Sequence, residues 1–475
     1  MVPFLTFLIL FLLIRNLMHN DLKMIYEGIL IMDVVLLVMW PQGFFIKFGD
    51  NGISSCQTIV ELALLICSIL FVWRYRIKIP VSLMLYSFLW IICIAIGIMS
   101  EIVDPIDFFI INEYADWDSY VLGIINKTKL TINWKEQIIF YSIIVNYIIN
   151  IWILKTAISE SQMKRMMEKI TVYLQLALLF GMVEFIVSNI AGEPTLILSI
   201  KDILFLSETN FFSTPNKRGN FYGLSGVTSE PSHYVMSLFL IGIFVLIRNK
   251  IITRNGGRLD SLYRSKCYMF LIMVIMYFTG GFSAVWYIAM LMIANYIIRN
   301  EYRNVNRLLY YIKYVLILLI IMGTCLYVFY NWGAGYIAYR LELVSEIINA
   351  ILSNNLGVYS FAIDSTAVRL ISCYDVFNDF LQRPLFGLGI GIEEAHNEFS
   401  TMLSYFGIIG IIVWGFMINF KDKYDISLFV LLYLIAGIPI GFTHMHLPMI
   451  NVSYAFLYET TKLYDKEGIG KLNDT

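Results

Sequence analysis

Charge is what this chain has least of. Asp, Glu, Lys and Arg make up 15% of its 475 residues, where a soluble domain carries about 25%. With hydrophobic residues at 59%, the chain lacks the polar surface to cover a core in water. It has no basic excess either: the net charge of -1 excludes a strongly basic nucleic-acid binder. The six cysteines include no C-x-x-C pair. Cys67, Cys93, Cys267 and Cys325 sit in apolar runs, and Cys56 and Cys373 stand far apart, so all six read as small apolar residues rather than a disulfide or zinc framework. The first apolar stretch, Val2 to Ile14, lacks the basic start and small-residue cleavage site of a signal peptide and reads as a membrane segment. No repeat of about 20–50 residues is visible.

What the chain has is long apolar runs. Its mean hydropathy is +0.72, and Tyr 31, Phe 34 and Trp 9 suit aromatic belts at the headgroup level. A hydrocarbon core about 30 Å thick needs about 20 mostly apolar residues of helix. Runs of that kind occur at 2–18, 24–43, 57–73, 80–100, 137–157, 169–190, 234–248, 267–280, 283–299, 309–330, 397–419, 426–443 and 447–460, so about 12 or 13 spans are expected. The pair around Thr279-Gly280-Gly281 reads either as two spans or as one interrupted run. Most of the basic residues fall on one alternating set of loops, among them Arg74, Arg76, Lys78, Lys164, Arg165, Arg254, Arg258, Arg303 and Arg307. By the positive-inside rule those loops are cytoplasmic.

The expected fold is therefore all-α: a polytopic membrane helix bundle. Residues 1–330 form a transmembrane bundle with two outward loops, 101–134 and 192–233. Residues 331–396 form a large extracytoplasmic loop, and 397–475 the last spanning helices and a cytoplasmic tail. Long polar loops are where function concentrates on such a scaffold. The large loop carries two stripes at helical spacing: Ile337, Leu341, Val344, Ile348 and Ile351, then Leu370, Ile371, Tyr374, Phe377 and Leu381. The second is opposed by Ser372, Asp375, Asp379 and Gln382. Both predict amphipathic helices packed on the bundle or lying on the membrane surface.

Four groups of residues have the chemistry for a site. The run Arg383-Pro384-Leu385-Phe386-Gly387-Leu388-Gly389-Ile390-Gly391 leads to His396 and Asn397; its alternating glycines let the backbone approach a ligand or another helix closely. The run Gly223 to His233 holds Glu230 and His233 at a membrane edge, where partial desolvation tunes ionisable groups; equally, Pro231 and Ser232 are helix punctuation, with Ser232 as a cap. The outward arginines Arg218, Arg340, Arg369 and Arg383 carry the permanent charge and planar fork that suit a pyrophosphate. Asp116 and Asp118, one residue apart, have the chemistry to hold a divalent metal, but short acidic pairs are common by chance and the pair reads as part of a solvated loop. The acids Glu27, Asp33, Glu61 and Glu184 lie within apolar runs, where charge is costly and faces the interior. No basic partner for them is apparent in the sequence. His444 and His446 cannot close a metal site alone.

The Ser229-Glu230-Pro231-Ser232-His233 run entering a span, together with Arg369 to Asn397, resembles the O-antigen polymerase and ligase superfamily of bacterial envelope enzymes. The order of paired spans, large outward loop and last spans is similar too. The resemblance implies a bundle like that of the GT-C membrane glycosyltransferases, in the bacterial inner membrane with its site facing the periplasm. It implies a donor glycan on undecaprenyl pyrophosphate and no metal or other cofactor. Arg369 would hold the pyrophosphate. His396 would serve as general base for the acceptor hydroxyl, or would position the acceptor. Glu230 is the second candidate catalytic group, with His233 and Asn397 as glycan contacts. The implied partners are the lipid-linked oligosaccharide, membrane lipid and a chain-length regulator protein, with no nucleic acid. The superfamily's small-residue motif often carries an arginine that is absent from Thr279-Gly280-Gly281-Phe282-Ser283, which favours a polymerase over a ligase. A lipid-linked-oligosaccharide transporter is the alternative from another class.

Overall fold

The structure is a computed structural model, and it describes residues 4–18, 21–39, 44–48, 51–111, 125–129, 134–205, 217–218, 221–226, 228, 231–254, 266–279, 282–299, 320, 336–353, 365–389 and 398–418. Helices dominate these residues. Three are long and apolar enough to cross a membrane: Val81–Val103, Ser161–Ile190 and Ser400–Met417. Shorter apolar helical stretches lie at Thr6–Leu17, His233–Leu246, Tyr268–Phe278 and Ser283–Met292. Of the expected spans, 426–443, 447–460 and all but residue 320 of 309–330 lie outside the described residues. The chain divides into two compact units, Met1–Ile77 with Ile149–Gly333 and Val452–Thr475, and Lys78–Ile148 with Ala334–Asn451. Each is interleaved in sequence, because helices pack on partners far along the chain.

In the first unit, α1 (Phe4–Leu17) and α2 (Leu22–Met39) precede a hairpin of β1 (Phe44–Phe48) and β2 (Asn51–Ser55), followed by α3 (Cys56–Tyr75). No strand was expected here; the two strands pair antiparallel, with Phe48 opposite Asn51 and Phe44 opposite Ser55. Helix α2 packs on α3 through residues spaced three and four apart, with Tyr26, Leu30, Val34 and Val38 facing Val60, Leu64 and Phe71, all of them buried. Helix α6 (Glu160–Phe185) opens with a capping box: Ser159 Oγ accepts from the Gln162 amide, and Gln162 Oε1 accepts from the Ser159 amide at 3.0 Å. It ends in a π-helical turn, Ile186–Ile190, before α7 (Pro194–Phe205). A two-residue ribbon, β5 (Lys217–Arg218) with β6 (Phe221–Tyr222), leads to α8 (Pro231–Arg254). Pro231 is the first residue of α8, a position that suits proline because its missing N–H would have no helical partner. Ser232, expected as the cap, therefore lies inside the helix. Beyond it, α9 (Lys266–Phe278) and α10 (Phe282–Arg299) are separate helices, so the Thr279 to Gly281 region is a break rather than one long span.

In the second unit, α4 (Val81–Val103) and α5 (Trp134–Thr156, whose last residues belong to the first unit) flank a hairpin of β3 (Asp107–Ile111) and β4 (Ile125–Lys129). The helices α11 (Tyr336–Leu352), α12 (Ser365–Gln382) and α13 (Glu398–Ile418) complete it. The core is aromatic: Trp90 of α4 is fully buried against Tyr147 of α5 and Phe406 of α13. Both helices expected in the large loop are present, and part of each apolar stripe is exposed. In α11 the buried pair is Leu343 and Ile347, while Ile348 is exposed. In α12 the inward residues are Val376, Asp379 and Phe380, while Phe377 and Leu381 face outward. An amphipathic helix on a membrane surface turns its apolar face to lipid, so an exposed apolar stripe is one of the two placements that its pattern allows.

Candidate functional site

Two outward segments were marked by sequence, one in each unit. In the first unit, Gly223 to Thr228 is held by buried polar groups. Asn189 of the π turn brackets Tyr222, accepting from its amide at 2.7 Å and donating to its carbonyl at 3.1 Å. The Leu224 amide donates to the Phe278 carbonyl at 3.0 Å. Glu184, buried near the end of α6, collects the next donors: the Gly226 amide at 2.6 Å, the Ser225 amide at 3.3 Å and Lys201 Nζ at 2.8 Å. Lys201 also donates to Ser225 Oγ at 2.6 Å.

Lys201 is completely buried. Burial pushes its ammonium below the usual lysine range, and the adjacent Glu184 carboxylate pulls it back. A serine hydroxyl at 2.6 Å from a buried lysine has the outline of a nucleophile and base. With Glu184 at 2.8 Å, however, the lysine is held as an ammonium donor, so the trio acts as a lock on the loop. Gly226 completes that lock. It sits at φ 56°, and a side chain there would overlap the Tyr234 ring. Tyr234 in turn donates to the Ala177 carbonyl at 2.9 Å. His233 lies half-buried in the first turn of α8.

This corrects one expectation outright: two of the four acids in apolar runs do have basic partners. Glu184 pairs with Lys201, and Glu27 receives both Arg165 Nη2, at 2.8 Å to Oε1, and Gln162 Nε2, also at 2.8 Å. Both cations come from other helices, which sequence order alone does not bring together. Lys201 had a sequence signal, as the single basic residue in the apolar run Pro194–Phe205.

In the second unit the glycine-rich run is a clamp on a broken helix. Helix α13 is interrupted at Gly407, at φ 60° and ψ -179°. The amides freed there are taken up by the run: Ile408 donates to Pro384 O at 2.9 Å and Ile409 to Leu385 O at 3.0 Å. The Ser404 carbonyl accepts from Leu388 at 2.7 Å. Gly387 at φ 69° and Gly389 at φ 100° have backbone angles that disfavour other residues. On α4, Gly97 lets the helix backbone meet the run directly, since a Cβ there would lie 3.0 Å from Phe386 O and Gly389 N. Of the two uses that the glycines suggested, close approach of another helix is the one the structure fills. Irregular backbone inside apolar surroundings is tolerated where its polar groups are satisfied in this way.

Arg383 precedes the clamp, half-buried, with Nη1 at 3.6 Å from Glu101 Oε2 and Nη2 at 3.9 Å from Asp104 Oδ2. Its charge is met by carboxylates of the α4 end. Arg369 lies on α12, about 20 Å of helix before Arg383, so the two belong to different ends of that helix. Arg340 lies on α11 and Arg218 on β5. Glu230, His396, Asn397, Asp116, Asp118, His444 and His446 lie outside the described residues. Among the described residues, no group of three His, Cys, Asp or Glu side chains is placed to hold a metal. No protein-family model matches the chain, and no curated protein matches it by sequence.

Proposed function

We propose that the chain is a polytopic, GT-C-like membrane glycosyltransferase of the O-antigen polymerase kind. It transfers a growing glycan from undecaprenyl pyrophosphate to a new lipid-linked repeat unit at the outer face of the bacterial inner membrane. The observation that carries this reading is the clamped run after Arg383. It ties the end of α12, the helix of Arg369, to the broken helix α13. In sequence, His396 and Asn397 stand directly before Glu398, the first residue of α13, the helix that this clamp holds. That suits a base that must meet a hydroxyl in one geometry.

In this mechanism Arg369 neutralises the charge that grows on the departing diphosphate, which is already a good leaving group. His396 takes the proton of the acceptor hydroxyl as its oxygen bonds to the donor's anomeric carbon. The bond from that carbon to the diphosphate oxygen breaks, and undecaprenyl pyrophosphate leaves. Asn397 is a candidate glycan contact. Arg383, already engaged by Glu101 and Asp104, positions the clamp and holds no phosphate in this reading.

A second reading has a specific observation in its favour. A transporter for lipid-linked oligosaccharide would also use a spanning helix interrupted at depth, as α13 is at Gly407. The glycan ladder of a strain lacking the chain separates the readings. A polymerase loss leaves single repeat units attached to lipid A-core, a ligase loss leaves none attached, and a transporter loss leaves no repeat units exposed outside. The expected result is single units; a normal ladder overturns the proposal.

A further inference from the structure

The four acids within apolar helices do not share one fate. Glu27 and Glu184 are paired with Arg165 and Lys201, and Glu61 has an interaction of its own. Asp33 differs. It is buried to 1% exposure, and neither carboxylate oxygen has a hydrogen-bond partner among the described residues. It lies six residues beyond Glu27 on α2, about 9 Å along the helix, so Arg165 is engaged before Asp33 is reached. An isolated carboxylate in such a place is very costly, whereas the neutral acid costs far less.

The groups around it offer no compensating charge. On α2 itself Tyr26 stands two turns away on the same face, and its hydroxyl donates to Asn150 at 2.7 Å. From α3 the buried titratable groups are Glu61 and Cys67. From α6 it is Glu184, which is engaged by Lys201, with the exposed Arg165 guanidinium engaged by Glu27. From α8 they are Tyr234, bound to Ala177, and Arg248, which has an interaction of its own near the helix end. The described residues of α1 bury no titratable group. Ser68 of α3 donates to Asn150 at 3.2 Å, which joins hydroxyls and an amide into a small polar cluster on the α2–α3 side of the unit.

We propose that Asp33 is a proton-binding site, a carboxyl group held as the neutral acid within the helix packing of the first unit. Uptake and release of that proton couple the α2–α3 packing to the proton balance across the membrane, because an ionised Asp33 has no cation to meet it there. The proposal does not depend on the glycosyltransferase reading: it concerns the interior of one unit, and either can fail alone.

Two measurements on the full-length protein test it. In vesicles of phosphatidylethanolamine and phosphatidylglycerol, dicyclohexylcarbodiimide reacts with un-ionised carboxylic acids. The acid oxygen adds to the carbodiimide carbon and the acid proton goes to its nitrogen. Peptide mass spectrometry should find the adduct on Asp33 at about pH 7, slowing by up to about tenfold per pH unit as the medium is made more alkaline. The Asp33→Asn variant should lose it. Protection by sodium chloride but not potassium chloride would reveal a cation-bound carboxylate and overturn the proposal.

The second measurement needs no reagent to enter, and it decides if the two disagree. It is the melting temperature of Asp33→Asn against the parent protein from about pH 6 to about pH 9. An acid that is neutral in the fold but ionised in the unfolded chain makes stability fall as pH rises, until the folded acid gives up its proton. The amide has no proton to lose. The variant should therefore match or exceed the parent, with the gap widening as pH rises until the folded acid ionises and constant above that point. A variant less stable than the parent at every pH means that Asp33 is an ionised, partnered carboxylate.

Discussion

Arg369→Ala and His396→Ala should each reduce long-chain glycan to single repeat units in a strain otherwise lacking the chain, while the protein is still inserted in the membrane at normal amount. The size of the effect follows from the roles. Removing a positioned base costs about 10²- to 10⁴-fold, and removing one charge-stabilising donor costs about 10²- to 10³-fold. A polymerase that must act many times per chain turns either loss into an absence of ladder. Arg369→Lys should recover only part of the activity, because an ammonium keeps the charge but not the fork that engages two phosphate oxygens. Arg383→Ala should differ in kind. Its guanidinium faces Glu101 and Asp104, so its loss should lower protein amount before it lowers turnover per molecule. A full ladder from both Arg369→Ala and His396→Ala rejects them as site residues.

The second large effect lies in the clamp. Gly387→Ala should sharply lower the stability of the folded protein and the amount that accumulates. The new methyl group would overlap the Ser404 carbonyl oxygen and lie near the Gly407 amide, and alanine at φ 69° is strained in itself. The backbone strain costs about 1–3 kcal/mol, and forcing atoms into a packed contact costs about 1–3 kcal/mol more. Together, at about 2–6 kcal/mol, these reach the lower end of the whole stability of an ordinary domain, about 5–15 kcal/mol. Gly192→Ala is the control. It also has positive φ, 75°, but a Cβ there meets nothing within 4 Å, so only the backbone part is lost. Melting of the purified proteins in detergent reads the difference. Equal stability of the two variants would show that the clamp does not hold α13.

Much of this architecture is legible in the sequence, and the limits have physical causes. Apolar runs located α4 and α13 to within a few residues, because a helix facing lipid needs an unbroken apolar length; α6 begins well before its apolar run, in the polar segment that its capping box opens. The alternating glycines correctly signalled close backbone approach. That the partner would be Gly97, nearly three hundred residues earlier, was not readable without the fold. Which face of α11 and α12 turns inward was not legible, because an amphipathic pattern fits both packing on the bundle and lying on a membrane surface. Lys201 was missed because a lone lysine in an apolar run has no visible partner until α7 is folded against the end of α6. The same blindness hid Arg165 from Glu27. Asp33 shows the reverse: its solitude could be suspected from sequence and acquires meaning only once Glu27 and Glu184 are seen to be satisfied.

The most direct test is a reaction with purified components: the full-length protein in lipid vesicles, supplied only with an undecaprenyl-pyrophosphate-linked repeat unit. The glycosyltransferase account predicts longer lipid-linked chains, with one undecaprenyl pyrophosphate released for every linkage made. Movement of the repeat unit across the vesicle membrane without any lengthening or release would contradict it and leave the transporter reading in its place.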